Sequence, residues 1–214
     1  MQRRHFLTLS AVTVGGVLVY SLDRKLSRVY AQGNAVRIPL HFFDEREALI
    51  VAAAVARIFP SDESGPGAQE AGVVVYIDRQ LAGPYGRDHD RYRQGPFENG
   101  VPEVGYQGKL TRGEIYREGV KKLAGFDRLS PAEQDAALRQ IENSEFFTLL
   151  RQHTIEGMFS DPMHGGNIDM VGWQLIGFPG PQMTYLEDVD KHFGQTFRPK
   201  PVSLTGGHPI EDEK

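Results

Sequence analysis

Apolar side chains recur every three to four residues through most of the chain, a spacing typical of amphipathic helices. The first apolar stripe follows Asp44 and Glu47, which are spaced as a capping box, and it ends at Pro60. A second segment over 68–81 contains a run of valines that also fits a strand. Its flanking alanine, glutamate and glutamine residues favour a helix.

Three later helices carry start signals of their own. Thr111, Ser130 and either Asn143 or Ser144 stand at N-cap positions, and the signal at Ser130 is the clearest because proline and glutamate follow it. Shorter helical segments are expected over 167–176 and 183–193. The pattern therefore predicts a mainly α fold class, a compact helical domain.

Residues 83–110 interrupt the helical pattern with six glycines and three prolines. A charged patch runs from Arg87 to Arg93, and we expect its Asp88-His89-Asp90 core to be solvated or to face a partner. Long irregular loops in compact domains are usually functional or disordered. The aromatic residues of this insert indicate that it packs on something.

Charge is distributed unevenly along the chain. Residues 1–31 hold five basic side chains and one acid, a net charge of +4, whereas the remaining 19 basic and 27 acidic residues give −8. An apolar run from Phe6 to Leu22 lies between the two basic clusters. This three-part layout is typical of an export signal, and the alternative is a membrane anchor that is not cleaved.

The start of this leader resembles a twin-arginine (Tat) export motif. Arg3 and Arg4 form the arginine pair, and Phe6 and Leu7 follow after one variable residue. Small or modest side chains up to Ala31 offer a candidate cleavage site after that residue. We therefore expect Tat export to the periplasm, with the Tat translocase as a transient partner.

The composition excludes several kinds of chemistry. The chain has no cysteine, which rules out disulfides, thiolate metal sites, covalent c-type haem and a cysteine nucleophile. The net charge of −4 argues against nucleic acid as a main partner. The predicted organisation is a Tat signal over 1–31, a helical domain over 32–198 and a flexible tail over 199–214.

A cluster of potential metal ligands lies near the start of the last third of the chain. His153 and Glu156 are three residues apart on one predicted helix, and Asp161 and His164 follow. A metal site is one interpretation, but a bundle site needs ligands from several helices and no second such pair occurs. Hydrogen-bonding and capping roles are the alternative, and no nucleotide-binding or serine-hydrolase motif is present.

Glycine, proline and a single tryptophan dominate the residues that follow this cluster. Their spacing predicts fixed turns and close backbone approach, and they serve either as a scaffold or as a partner interface. Asn167 is in addition a candidate helix cap. These candidate residues are Gly165, Gly166, Asn167, Trp173, Gly177, Pro179 and Gly180.

The stretch from His153 to Asn167, together with the block from Gly172 to Gly180, resembles the gluconate 2-dehydrogenase subunit 3 family. The Phe-Pro-Ser-Asp stretch at 59–62 also fits that family, and His164 stands where tyrosine is usual. The resemblance extends over most of residues 1–198. It implies the small subunit of a flavin-dependent sugar or sugar-acid dehydrogenase.

This resemblance implies a non-catalytic accessory role, with no cofactor-binding residues in this chain. FAD would lie in a large subunit of the glucose–methanol–choline type, and haem c in a multihaem cytochrome subunit. The small subunit would carry the large one through the Tat system, and the complex would associate with the membrane. The alternative is a stand-alone periplasmic binding or metal-dependent protein that uses His153, Glu156 and His164.

Overall fold

The computed structural model describes residues 17–19, 37–97, 101–186 and 188–206, and six α-helices are the main secondary structure within these ranges. The mainly α fold class is therefore confirmed. Within these ranges, no helix combines the length and the apolar character needed to cross a bilayer. The helices are α1 (Glu45–Ile58), α2 (Val73–Ala82), α3 (Arg112–Lys122), α4 (Pro131–Gln140), α5 (Glu145–Phe159) and α6 (Val171–Ile176).

Two short strands precede the helices. β1 (Val17–Val19) pairs antiparallel with β2 (Arg37–Pro39), and Leu18 lies opposite Ile38. β1 falls inside the apolar run of the predicted leader. The twin-arginine residues Arg3, Arg4, Phe6 and Leu7 and the candidate cleavage site after Ala31 lie outside the described residues, so the export signal stays a prediction.

Capping side chains determine where four of the helices begin. Asp44, Thr111 and Ser130 each accept a hydrogen bond from the third helical N–H, and the glutamate there accepts one in return. Ser144, rather than Asn143, caps α5. These bonds satisfy N–H groups that the first helical turn leaves unpaired. The predicted helix starts are thus confirmed.

The valine-rich segment is helical, and its composition reflects burial. Seven of the ten residues of α2 are buried, so the helix is apolar on nearly all sides. A helix of this kind belongs in the centre of a core. The valines at 73–75 therefore mark the central helix of the domain rather than a strand.

Helices α1, α3 and α5 pack around α2, and glycine permits two of the closest approaches. A Cβ at Gly157 in α5 would lie 3.0 Å from the ring of Tyr76 in α2. A Cβ at Gly119 in α3 would overlap the ring of Phe146 in α5. Because these glycines have no side chain, aromatic rings fit between the helices and complete one hydrophobic core.

A buried aspartate attaches the N-terminal extended segment to this core. The Asp78 side chain, in α2, accepts hydrogen bonds from the backbone N–H groups of His41 (2.8 Å), Phe42 (3.0 Å) and Phe43 (2.8 Å). Asp78 is 1% exposed. The carboxylate thereby supplies acceptors for three consecutive N–H groups and orients the chain into α1.

The first part of the insert folds back onto α3. The Gly113 N–H donates to the carbonyl oxygen of Gly86 (2.9 Å), and the Arg112 guanidinium lies 4.1 Å from the centre of the Tyr85 ring. Arg112 also donates to Asp88 (3.0 Å). Asp88 is buried, so the expectation that it would be solvated or face a partner is wrong. The other two residues of the Asp88-His89-Asp90 core, His89 and Asp90, are exposed.

The predicted helical turns over 183–193 are not found as a helix in the described residues there. The segment instead forms a turn in which the carbonyl oxygen of Tyr185 accepts from the N–H groups of Asp188 and Val189. The predicted flexible tail begins with residues that contact the domain. The Ser203 hydroxyl and the Leu204 N–H both donate to the side chain of Asp161, at 2.7 and 2.9 Å.

We predict that Asp78→Ala lowers the free energy of unfolding by roughly 3 kcal/mol or more, because three N–H groups lose their acceptor in the interior. Asp78→Asn is the matched control. It keeps one acceptor oxygen and so loses less. The check is the urea midpoint of each variant, and equal midpoints for Asp78→Ala and the wild type would contradict the role of Asp78.

Candidate functional site

The glycine-rich block, by which we mean residues 165–180, forms a loop and a short helix that lie against the C-terminal end of α5. The chain leaves α5 at Phe159, turns through the 3-10 helix Pro162–His164, and turns again through the 3-10 helix Ile168–Met170 into α6. The Asp161 side chain accepts from the N–H of Met163 and begins the first turn. The sequence block is therefore one continuous structural unit.

Two glycines of this block lie in backbone contact with α5. A Cβ at Gly166 would overlap the carbonyl oxygen of Gly157, and a Cβ at Gly172 would overlap that of Met158. Even alanine therefore cannot occupy either position without displacing backbone. Glycine at these positions lets the loop and α6 lie in direct backbone contact with the last turns of α5.

Asn167 links the two sides of this contact. Its side-chain amide donates to the Ser160 carbonyl (2.8 Å) at the end of α5, and its amide oxygen accepts from the Gly172 N–H (2.8 Å) in α6. Asn167 is 0% exposed. Its side chain thus accepts a hydrogen bond from an N–H group in the first turn of α6, five residues further along the chain. It does not cap the 3-10 helix that directly follows it.

The backbone of this loop is in an uncommon conformation. Asn167, Asp169 and Met170 all have positive φ, at 49°, 54° and 56°. Positive φ is costly for residues with a side chain and persists where surrounding contacts determine the conformation. The buried hydrogen bonds of Asn167 and the burial of Met170 provide such contacts.

Trp173 is a core residue of this unit. It is 3% exposed, its indole N–H donates to the carbonyl oxygen of Phe159 (2.7 Å), and its ring meets that of Phe178 edge to face. The indole thereby gives the last carbonyl group of α5 a hydrogen-bond donor, and its ring packs beneath α6. Of the two roles left open for Trp173, the geometry matches the scaffold.

The last residues of the block close the unit. Gly177 ends α6 with φ of 70°, which is the left-handed conformation that glycine adopts readily. The Pro179 carbonyl accepts from the N–H of Val202 (3.1 Å), and a Cβ at Gly180 would overlap the Val202 carbonyl oxygen. Thus the structure brings together all seven candidate residues, from Gly165 to Gly180.

A second polar cluster lies deeper in the domain, around His153. Its Nε2 atom is 2.7 Å from the hydroxyl of Tyr85, and its Nδ1 atom is 2.7 Å from the hydroxyl of Tyr116. His153 is 0% exposed, and its ring stacks on that of Tyr116. Both ring nitrogens therefore have protein partners from two other parts of the chain.

Burial controls the protonation of this cluster. Burial lowers the pKa of His153 to about 4, with nearby Glu156 raising it and Arg112 lowering it. Burial likewise raises the pKa of Tyr85 and of Tyr116. At neutral pH the imidazole is neutral, so it donates to one tyrosine hydroxyl and accepts from the other.

The other residues of the candidate metal site either have partners of their own or are exposed. Glu156 accepts from the Tyr76 hydroxyl (3.1 Å) and from the Gln152 amide (2.7 Å), and His164 is exposed. Among the described residues, no three His, Asp or Glu side chains lie close enough together to hold a metal ion. The described geometry thus matches the hydrogen-bonding interpretation of these side chains.

Sequence reasoning missed the partners of His153. Tyr85 belongs to the irregular insert and Tyr116 to the apolar face of α3. No periodic pattern in the sequence relates either residue to His153 in α5. It also missed the anchoring role of Asp78, although a lone aspartate in an otherwise apolar stretch is a usable signal. Buried charged groups in proteins are paired or hydrogen-bonded.

Gly166→Ala should destabilise the domain far more than Gly177→Ala. At Gly166 the new methyl group overlaps the backbone of α5, and we expect a loss of roughly 3 kcal/mol. At Gly177 nothing lies within 4 Å, so only the left-handed conformation is penalised, at about 1 kcal/mol. Chemical denaturation of both variants measures the difference, and equal losses would contradict the close contact.

Lowering the pH from about 6.5 to about 4 should reduce the stability of the domain through His153. In that interval the unfolded chain binds a proton that the buried imidazole does not, which costs roughly 3 kcal/mol in total. His153→Gln should flatten the dependence of the unfolding free energy on pH in this window. His164→Gln, at an exposed histidine, is the control, and an unchanged slope in His153→Gln would contradict the assignment.

Comparison with known proteins identifies the family. Curated proteins and solved structures yield no match. A family model described as Gluconate 2-dehydrogenase subunit 3 matches residues 45–180, which is well over half of the chain and extends from the first residue of α1 to the last glycine of the block. The chain belongs to the gluconate 2-dehydrogenase subunit 3 family.

Proposed function

We propose that this chain is a non-catalytic accessory subunit of a flavin-dependent sugar or sugar-acid dehydrogenase. It binds the folded flavoprotein large subunit in the cytoplasm and carries it to the periplasm on its own Tat signal. The family match over residues 45–180 carries the proposal, because the family's description names a subunit of gluconate 2-dehydrogenase. The paired arginines Arg3 and Arg4 provide the export step.

A Tat leader suits an escort for a flavoprotein. The Tat system moves folded cargo, so a large subunit that has already bound FAD in the cytoplasm can cross together with its small subunit. In this arrangement FAD lies in the large subunit, of the glucose–methanol–choline type, and haem c lies in a multihaem cytochrome subunit. The complex works in the periplasm and is associated with the membrane.

The described residues support a structural rather than a chemical role for this chain. The side chain of Asn167 and the indole of Trp173 are used in hydrogen bonds that hold α5 and α6 together. Both nitrogens of His153 are occupied by tyrosine hydroxyls. The alternative, a metal-dependent protein that uses His153, Glu156 and His164, would require these side chains to leave their present positions.

Replacement of both leader arginines, Arg3→Lys with Arg4→Lys, should leave the dehydrogenase in the cytoplasm. The Tat receptor reads the arginine pair, so this variant should abolish periplasmic activity while the large and small subunits still form a complex. The measurement is dehydrogenase activity with an artificial electron acceptor in periplasmic and cytoplasmic fractions of the native host.

The matched control is Arg24→Lys with Arg28→Lys, which makes the same change in the second basic cluster of the leader. We expect this control to export normally. Undiminished periplasmic activity in the Arg3→Lys, Arg4→Lys variant would overturn the escort role. Flavin or haem absorbance in the chain purified alone would overturn the proposal that it holds no cofactor.

A further inference from the structure

The C-terminal arm, by which we mean the described residues from Gly177 to Gly206, exposes an unusual amount of apolar surface. Single exposed apolar residues are ordinary, but a concentration of them marks an interaction surface. Met183 is fully exposed, Phe193 is 90% exposed and Leu186 is 82% exposed. The other large apolar side chains of the arm that are at least 40% exposed are Phe178, Tyr185, Val189, Phe197 and Leu204.

The arm is a closed loop whose base is attached to the domain. The Val202 N–H donates to the Pro179 carbonyl (3.1 Å) and so joins the two ends of the loop. At its start, the Phe178 N–H donates to the Trp173 carbonyl (2.9 Å). After the closure, the Ser203 hydroxyl donates to the Asp161 side chain.

Two contacts of His192 lie within the loop. The His192 ring stacks on that of Phe197 at 3.7 Å, and its Nε2 atom lies 3.4 Å from the Asp188 carboxylate. These contacts shape the loop but leave Leu186 and Phe193 exposed. The base therefore attaches both ends of the arm to the domain, while Leu186 and Phe193 stay exposed.

The size and charge of the arm indicate what it binds. A fully exposed aromatic side chain offers about 150–250 Å². The eight exposed apolar side chains of the arm together therefore present apolar surface on the order of 800 Å². One partner contributes about this area to a standard protein interface. Between 181 and 201 the sequence holds three acidic and three basic residues, so the net charge is zero. Aromatic residues and methionine, which are enriched at interfaces, supply much of the surface.

We infer that the C-terminal arm is the surface on which this chain binds the flavoprotein large subunit. This inference rests on the proposed function, because membership of a dehydrogenase-subunit family provides the partner. The arm begins where the family match ends, at 177–180, and its base is built from the same glycine-rich block. The scaffold role of Gly180 and Trp173 is thus to position the arm.

The insert is the competing surface. It also exposes apolar side chains, among them Tyr92 (84%) and Val101 (61%). However, residues 87–93 hold five charged side chains out of seven, and charged residues are depleted at the centre of interfaces. The insert therefore offers matched control positions for the arm.

The test is co-purification of the flavoprotein with the affinity-tagged full chain, expressed together in the native host. The arm variant is Leu186→Ser with Phe193→Ser, two exposed positions at which substitution leaves the core intact. The control variant is Tyr92→Ser with Val101→Ser in the insert. The readout is the amount of a large-subunit polypeptide that carries FAD, relative to the tagged chain.

We expect the arm variant to lose tenfold or more of the co-purifying flavoprotein, since central apolar anchors carry most of the binding energy of an interface. The control variant should retain the flavoprotein, and both variants should keep the unfolding midpoint of the wild type. Retention by the wild type in high salt is also expected, because exposed charges are screened and apolar contacts are not.

The outcomes separate the inference from the proposed function. If the wild-type chain binds the flavoprotein and the arm variant binds it equally well, the inference is overturned and the proposed function stands. If the wild-type chain binds no FAD-carrying polypeptide, both are overturned. If the arm variant instead converts a dimer of the isolated chain to a monomer while flavoprotein binding persists, the occupant is a second copy, and the inference is again overturned.

Discussion

The C-terminal end of α5 is in direct backbone contact with two later segments of the chain, and the rest of the structure depends on this contact. Gly166 and Gly172 meet the carbonyl oxygens of Gly157 and Met158, where no Cβ could fit. The contact brings the loop and α6 so close to α5 that Asn167 can bond to both helices at once. The absence of a Cβ atom at two positions thus determines how the loop and α6 lie against α5.

Polar groups inside the domain have specific partners that join distant parts of the sequence. Asp78 accepts from three backbone N–H groups of the N-terminal extended segment, and His153 joins the insert to α3 through Tyr85 and Tyr116. Leaving such groups unpaired in the interior is costly. These hydrogen bonds therefore specify a single arrangement of the segments. Apolar contacts are less directional and would specify that arrangement less precisely.

The surface and the interior of this chain have different tasks under the proposed function. The interior residues of the glycine-rich block stabilise a rigid base, and the exposed apolar residues are concentrated in the arm attached to that base. A rigid base reduces the entropy that an arm of this length loses when it binds. Under the proposed function, an export receptor reads the leader and the large subunit binds the arm, so both ends of the chain serve recognition by other proteins.

From the sequence alone we could predict the helical class, the starts of four helices and the family. Capping acts between residues three apart and apolar periodicity acts along one helix, so both can be read locally, as at Asp44 and Ser130. The sequence left open whether Trp173 serves as a scaffold or an interface, and it predicted that Asp88 is solvated or faces a partner. Both questions concern burial, which depends on segments far apart in the chain. The bonds from Tyr85 to His153 and from Asp78 to Phe43 span 68 and 35 residues, and only the tertiary structure brings such residues within reach.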